Sequence, residues 1–271
     1  MKGGSFLIQS LIKNERGNNM KEKDFYEEIK DWDFSMFEVT DEKLTNWDMY
    51  EILNYVTNKD SKILDLGTGG GEKVINLFPM VKEILATDYS AEMIATANKN
   101  LQATARQNIT FRVMDNLKMD TPKEYFDVVV ARNTVTDPKR IYATLKNGGR
   151  LLIHGVDKYD CHSLKLLFGK GQGYHDEKPL SITDYENVLQ AGFKEVELVP
   201  IYEKSYFKDK ANLIAFLKKV SILDDLTDDE LQTDFYKTTL DEAKINEYIN
   251  DNTYPQGLLL QRRYYGISAK K

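Results

Sequence analysis

Asp65, Gly67, Gly69 and Gly71 stand at every second position of the run ILDLGTGGGEK, and Glu72 follows at once. Glycines placed after a strand let the backbone turn sharply and approach a ligand closely at the mouth of a doubly wound sheet. The dinucleotide fingerprint G-x-G-x-x-G, begun at Gly67, would need a glycine where the chain has Glu72. A pyrophosphate at that helix start would meet a like charge rather than free N–H groups alone. Acid before and after the loop suits a cationic ligand without phosphates. Asp88 lies about twenty residues past the glycines, at the end of the next apolar run, where a carboxylate reaches ribose hydroxyls. Asp115 and Asn116 close a third run and place a polar pair where an adenine edge would lie. A sulfonium, an ammonium, a carboxylate and a nucleoside in one molecule describe S-adenosylmethionine (SAM).

These residues need a scaffold that brings strand ends together, and the apolar pattern supplies one. KILDL, EILATD, ITFRVMD, YFDVVVA and RLLIHGV are short apolar runs that read as buried parallel strands. Helical segments separate them: 71–78, stopped by Pro79; a helix opened by Ser90 as N-cap; and DPKRIYATLKNGG, with Asp137 as cap, Pro138 in the first turn and Gly148 past the end. Strands alternating with helices make a parallel sheet covered on both faces. Further helices are expected at 21–31, at 42–57 (Leu44, Trp47, Ile52, Leu53 and Val56 at helical spacing), near 159–168 and over SITDYENVLQAG. FKEVELVPIY and GLLLQRRYYGISA are two late strands, with a helical insertion rich in acids and aromatics between them.

With these runs in order, the chain resembles the class I SAM-dependent methyltransferases over roughly 60–156, and more loosely elsewhere. DLGTGGG is similar to that family's glycine motif, ATDYSAEMIATANKNL to its second strand and following helix, and VMDNLKM to its adenine-side motif. FDVVVARN and LKNGGRLLI are similar to its fourth strand and the turn into its fifth. The resemblance implies a cofactor site of Asp65, Gly67, Thr68, Gly69, Gly71, Asp88, Tyr89, Met93, Asp115, Asn116 and Arg132. It also implies an α/β fold: a doubly wound, seven-stranded, mostly parallel Rossmann-like sheet. Residues 1–57 are then an N-terminal extension and helical cap, 58–202 the SAM-binding core, 203–255 a helical lid and 256–271 the last strand.

The catalytic group is open. Many relatives carry a histidine shortly after the fourth strand; here that run is ARNTVTDP, with none. Among the three histidines, His154 ends the fifth strand and is the candidate for the pocket mouth, while His162 reads as a helix-face residue and His175 as a loop residue. Their spacing suits no metal. Each site residue also has a plainer role: glycines for a tight turn, Asp88 as a helix cap, Asp115 as a turn residue, Arg132 and Asn133 as solvated loop. Tyr26, Trp32, Phe34 and Trp47 either close over the cofactor or anchor the cap, and Tyr254, Tyr264 and Tyr265 read as strand packing.

Composition narrows the partner. The net charge is −6, and Lys and Arg are scattered among acids without a concentrated basic face, which disfavours nucleic acid. The single cysteine, Cys161, excludes an intrachain disulfide and suits a reducing, cytoplasmic setting. No apolar run is long enough to span a membrane. ERGNNM, just before Met20, leaves two readings: an ordinary N-terminal helix, or translated leader before a natural start at Met20. The expected activity is methyl transfer to a small molecule. An RNA or protein methyltransferase and a non-catalytic SAM-binding module are the alternatives, and Glu72 disfavours a nicotinamide oxidoreductase.

Overall fold

The computed structural model describes residues 36–220, 222–223 and 240–271. The expected helix at 21–31, the aromatics Tyr26, Trp32 and Phe34, the Met20 start and the acidic run at 224–234 lie outside the described residues. The sheet has nine strands of mixed orientation, not the expected seven. They are β1 (Val39–Lys43), β2 (Lys62–Leu66), β3 (Glu83–Asp88), β4 (Ile109–Val113), β5 (Phe126–Arg132), β6 (Leu145–Val156), β7 (Lys194–Phe207), β8 (Thr253–Tyr254) and β9 (Gly257–Lys270). Along the sheet the order is β1-β7-β9-β6-β5-β2-β3-β4, with β8 paired to β9. Strands β4, β3, β2, β5 and β6 form a parallel block. β9 runs against both β6 and β7, and β1 runs against β7.

The described helices are α1 (Met49–Val56), α2 (Glu72–Leu77), α3 (Ala91–Gln102), α4 (Pro138–Thr144), α5 (His162–Phe168), α6 (Leu180–Gln190), α7 (Lys210–Lys219) and α8 (Glu242–Asp251). Successive strand residues feed opposite faces. Ile63, Val128, Val130 and Leu152 pack with Leu53 of α1, Val74 of α2 and Ile94 of α3. Leu64, Leu66, Val129 and Leu151 pack with Ile141 of α4 and Val188 of α6.

Three expectations needed correction, each for a local reason. The helix expected over 42–57 begins only at Met49, because the Asp48 carboxylate accepts the N–H groups of Tyr50 and Glu51 and stops the helix there. The charged stretch before it pairs with β7 as the edge strand β1, and only pairing reveals a strand of such residues. The helix begun by Asp137 ends at Thr144, since Leu145 already pairs with Phe126 of β5 and Lys271 pins the turn at Gly148 and Gly149 by two backbone bonds. The helix expected over SITDYENVLQAG begins one residue earlier, at Leu180 after Pro179, and the Ser181 hydroxyl bonds the Asp157 carboxylate.

Strands β7 and β9 are each 14 residues, about 45 Å at the usual rise. Tyr264 pairs with Val156, the last residue of β6, so Gly257–Arg263 continue past the carboxyl ends of the parallel strands as an arm. The arm carries a third core. Phe207, Leu258 and Leu260 pack there with Leu164 of α5, Leu213, Phe216 and Leu217 of α7, and Ile245 and Tyr248 of α8. At its root Arg262 grips Asp160 through Nε at 3.0 Å and a terminal nitrogen at 3.1 Å, and the Arg263 N–H bonds the same carboxylate at 2.7 Å. Side-chain exposure is 12% for Arg262 and 1% for Asp160, so neither charge has water to replace its partner.

Breaking a buried pair by removing one partner leaves the other charge uncompensated. Arg262→Met is therefore expected to destabilise the fold by about 3–5 kcal/mol. Asp160→Leu combined with Arg262→Met should recover most of that loss, as read from urea unfolding midpoints.

Candidate functional site

The loop between β2 and α2 takes the conformation its glycines permit. Gly67, Gly69 and Gly71 have φ of 73°, 58° and 78°. A Cβ on Gly67 would lie 2.7 Å from the Thr134 Cβ, and one on Gly71 2.6 Å from the Phe111 ring, so both positions need glycine for space as well as torsion. The N–H groups of Gly67 and Thr68 both donate to the Thr87 carbonyl, at 2.8 and 2.9 Å, which ties the loop to the end of β3. Glu72 folds back beside Gly70, and Asn100 donates to both the Gly70 carbonyl and the Glu72 carboxylate.

Asp88 ends β3. One carboxylate oxygen accepts Gly69 N–H at 2.9 Å and the other accepts Ser90 N–H at 3.0 Å. Burial raises its carboxyl above the ordinary range, and these N–H groups pull it back. Asp65 ends β2 one position before Leu66 and is 4% exposed. Burial pushes its carboxyl up to about 7, with the Arg132 guanidinium partly offsetting the effect.

The residues named from sequence divide here. Ser90 caps α3 by accepting Met93 N–H at 3.2 Å, and Met93 is itself buried. Tyr89 is largely exposed. Asp115 is exposed and accepts Leu117 N–H at 2.8 Å. Asn116 turns inward and donates to Thr134 Oγ1 at 2.9 Å and to the Val135 carbonyl at 3.2 Å, joining the loops that follow β4 and β5. Thr134 was not singled out by sequence, yet it touches both Asn116 and the space above Gly67. Among the described residues, Asn116 Oδ1 and Tyr50 Oη are buried with no hydrogen-bond partner. Buried polar atoms are rarely left so, and a ligand in the crevice would satisfy them.

Beside this lies a second wall. Arg132 ends β5 and pairs in register with His154 of β6. The His154 ring lies 6.4 Å from Trp47 and 5.1 Å from Tyr264, centroid to centroid. Trp47 also covers Gly266, where a Cβ would come within 2.5 Å of the indole. Trp47 is thus both an anchor on the sheet and part of the wall, and Tyr264, expected as strand packing, belongs to it too. His162 and His175 lie against Tyr159 and Tyr174, away from this wall. Among the described residues no group of three or more His, Cys, Asp or Glu is placed to hold a metal ion.

Residues 57–197, just over half of the chain, match a family model described as a methyltransferase domain. The chain belongs to this family of class I SAM-dependent methyltransferases. SAM is the cofactor of the domain. Protein-L-isoaspartate O-methyltransferase 2 of Shewanella sediminis is 27% identical over 114 residues, 42% of this chain and 47% of that one. Phosphoethanolamine N-methyltransferase 3 of Arabidopsis thaliana is 30% identical over 152 residues, 50% of this chain and 29% of that one. The chain spans about half the length of the first curated relatives it matches. The YcgJ protein of Bacillus subtilis superposes with a TM-score of 0.53 at 15% identity, covering 82% of this chain and 97% of that one. The [4+2]-cyclase SpnF does so with a TM-score of 0.50 at 14% identity, covering 82% and 79%. At such identities these two likenesses show the shared fold alone. Among the described residues no helix of this methyltransferase is long and apolar enough to cross a membrane.

The residues present fit SAM: a glycine loop that carries no side chains at Gly67, Gly69 and Gly71, a buried Asn116 Oδ1 without a partner, and carboxylates at the ends of the neighbouring strands β2 and β3. A cation bound near Asp65 favours its ionised form, so its pKa should fall on binding and a proton should leave. SAM affinity is therefore expected to rise between about pH 5.5 and 7, below the range where an α-amino group titrates (roughly 7.7–8.0). Calorimetry in buffers of different ionisation enthalpy should show proton release for the native chain and little for Asp65→Asn.

Proposed function

We propose that the chain transfers the methyl group of SAM to a small-molecule acceptor. The observation that carries this reading is the Asp88 carboxylate, which braces Gly69 and still faces the crevice beside the buried Asp65. In this reading Asp88 holds the ribose hydroxyls, Asn116 Oδ1 with Asp115 meets the adenine edge, and Asp65 with Arg132 meets the charged methionyl end. Once bound, the cofactor supplies a methyl already activated by a positive sulfur. The chain's own work is then to orient the nucleophile and exclude water. Trp47, His154 and Tyr264 form the apolar and polar wall against which the acceptor lies.

The scatter of Lys and Arg and the net charge of −6 support a small acceptor over a phosphate backbone. The names of the relatives span a protein carboxyl and a small amine, so they do not choose between acceptors. The insertion at 203–255 fits the role of a lid. Its helices α7 and α8 pack with α5 on the β7–β9 arm in a core separate from the two cores of the sheet. Phe207, Leu213, Phe216 and Leu217 face one another in that core.

Asp88→Ala is expected to leave the far-UV spectrum unchanged and to lower SAM affinity at least tenfold, since charge-assisted hydrogen bonds contribute about 1.5–3 kcal/mol each. Unaltered affinity in calorimetry would remove the assignment. The amides of α7 and α8 should exchange faster than those of β2, β3 and β5 and slow when SAM and an acceptor bind. Equal protection in hydrogen-exchange mass spectrometry, insensitive to ligand, would count against a lid.

A further inference from the structure

His154 is held in a way that packing alone does not require. Its backbone carbonyl accepts Asn133 N–H at 2.8 Å, and its Nδ1 lies 3.1 Å from Asn133 Oδ1. Asn133 reaches this position with φ of 51°, a left-handed conformation that asparagine adopts more readily than other side-chain-bearing residues. Trp47 and Tyr264 flank the ring. The Asn133 carbonyl oxygen faces Nδ1. A lone pair on Nδ1 would confront its lone pairs, so Nδ1 carries the proton and Nε2 the lone pair. Among the described residues Nε2 has no partner. The charged groups facing the ring are Arg132 of β5, Asp48 before α1 and Arg262 of β9. Burial first, and Arg132 next, lower the imidazolium to about 4, so the ring is neutral at physiological pH.

We infer that Nε2 of His154 takes the proton of a hydroxyl group on the acceptor, so that the reaction is an O-methylation of an alcohol or phenol. This rests on the reading of a small-molecule methyltransferase given above. As a lone pair of the acceptor oxygen forms the new carbon–oxygen bond, the carbon–sulfur bond breaks and its electron pair stays on sulfur. The O–H bond breaks, its proton passes to Nε2, and the resulting imidazolium, beside the Arg132 cation, returns it to water. A base this weak is sufficient, because an oxygen that has gained a methyl and kept its proton is a far stronger acid than imidazolium. It cannot take a proton from an alkylated ammonium. A carboxylate has no proton to give and would set its lone pairs against that of Nε2. Asn133 is the positioning residue, acting through the tautomer.

The test uses the full chain with SAM labelled by carbon-13 in its methyl and the small-molecule fraction of a cell extract. The chemical shift of the transferred methyl reports the atom that received it. A methoxy signal that survives alkaline hydrolysis is expected. His154→Gln should lower its rate of formation about a hundredfold, within the usual range for general acid–base groups, while calorimetric SAM affinity holds. Asn133→Ala should lower it about tenfold. Nitrogen-15 spectra of the imidazoles at neutral pH, for a chain with three histidines, should show His154 protonated on Nδ1, and a mixture of tautomers in Asn133→Ala. A label on nitrogen, sulfur, carbon or a base-labile ester overturns this inference and leaves the small-molecule reading standing. So does an Nε2-protonated His154, or a His154→Gln rate within twofold of native. Intact SAM binding with no label on any small molecule overturns the small-molecule reading, and this inference with it.

Discussion

The bond from Gly69 N–H to the Asp88 carboxylate, 2.9 Å long, is the constraint on which the site rests. It joins the loop after β2 to the end of β3, and it exists only because the two strands are parallel and adjacent. Both ends are committed. Gly69 presents its N–H because its φ is 58°, and Asp88 is fixed from the other side by Ser90 N–H. Ser90 in turn caps α3, so a single carboxylate sets the loop, the turn and the helix start together.

Much of this arrangement is legible in the sequence because it depends on residue type at fixed spacing. Parallel strands buried on both faces read as unbroken apolar runs, and KILDL and FDVVVA cannot sit elsewhere. Glycines that need positive φ, and Ser90 and Asp137 as caps, are local requirements that local reading recovers. What escaped depends on partners far away in the chain. β1 is charged and mostly exposed, and it is a strand only because β7 extends to Phe207 beside it. Thr134 is an ordinary residue until Asn116 turns inward to meet it. Tyr264 pairs in register with Val156, and from sequence nothing tells that position from the packing residues around it.

The β7–β9 arm shows how one sheet serves two ends. Within the block it closes the core beside β6, with Ile267 and Ala269 buried. Beyond Val156 it would expose two bare strands, and such edges pair indiscriminately. β1 covers one flank, while α5, α7 and α8 cover a face with a core of their own. The Asp160–Arg262 pair stands where the two regimes meet. A charge pair there stabilises less than apolar packing would, but its geometry is directional. It ties the turn before α5 to β9, two residues before Tyr264, which flanks His154.

The two walls of the crevice therefore differ in kind. On the β2–β3 side Asp65 is buried, and Asp88 is half-buried and braced by backbone N–H groups, an environment that gains from an incoming positive charge. On the β5–β6 side Arg132 stands next to a neutral imidazole, an environment that gains from electron-rich, uncharged groups and loses from a second cation. Strand order alone produces the separation, because β2 lies between β3 and β5 and its loop turns toward β3. Arg132 acts on both environments: it partly offsets the raised carboxyl of Asp65 and lowers the imidazolium of His154, so the two walls meet at the end of β5.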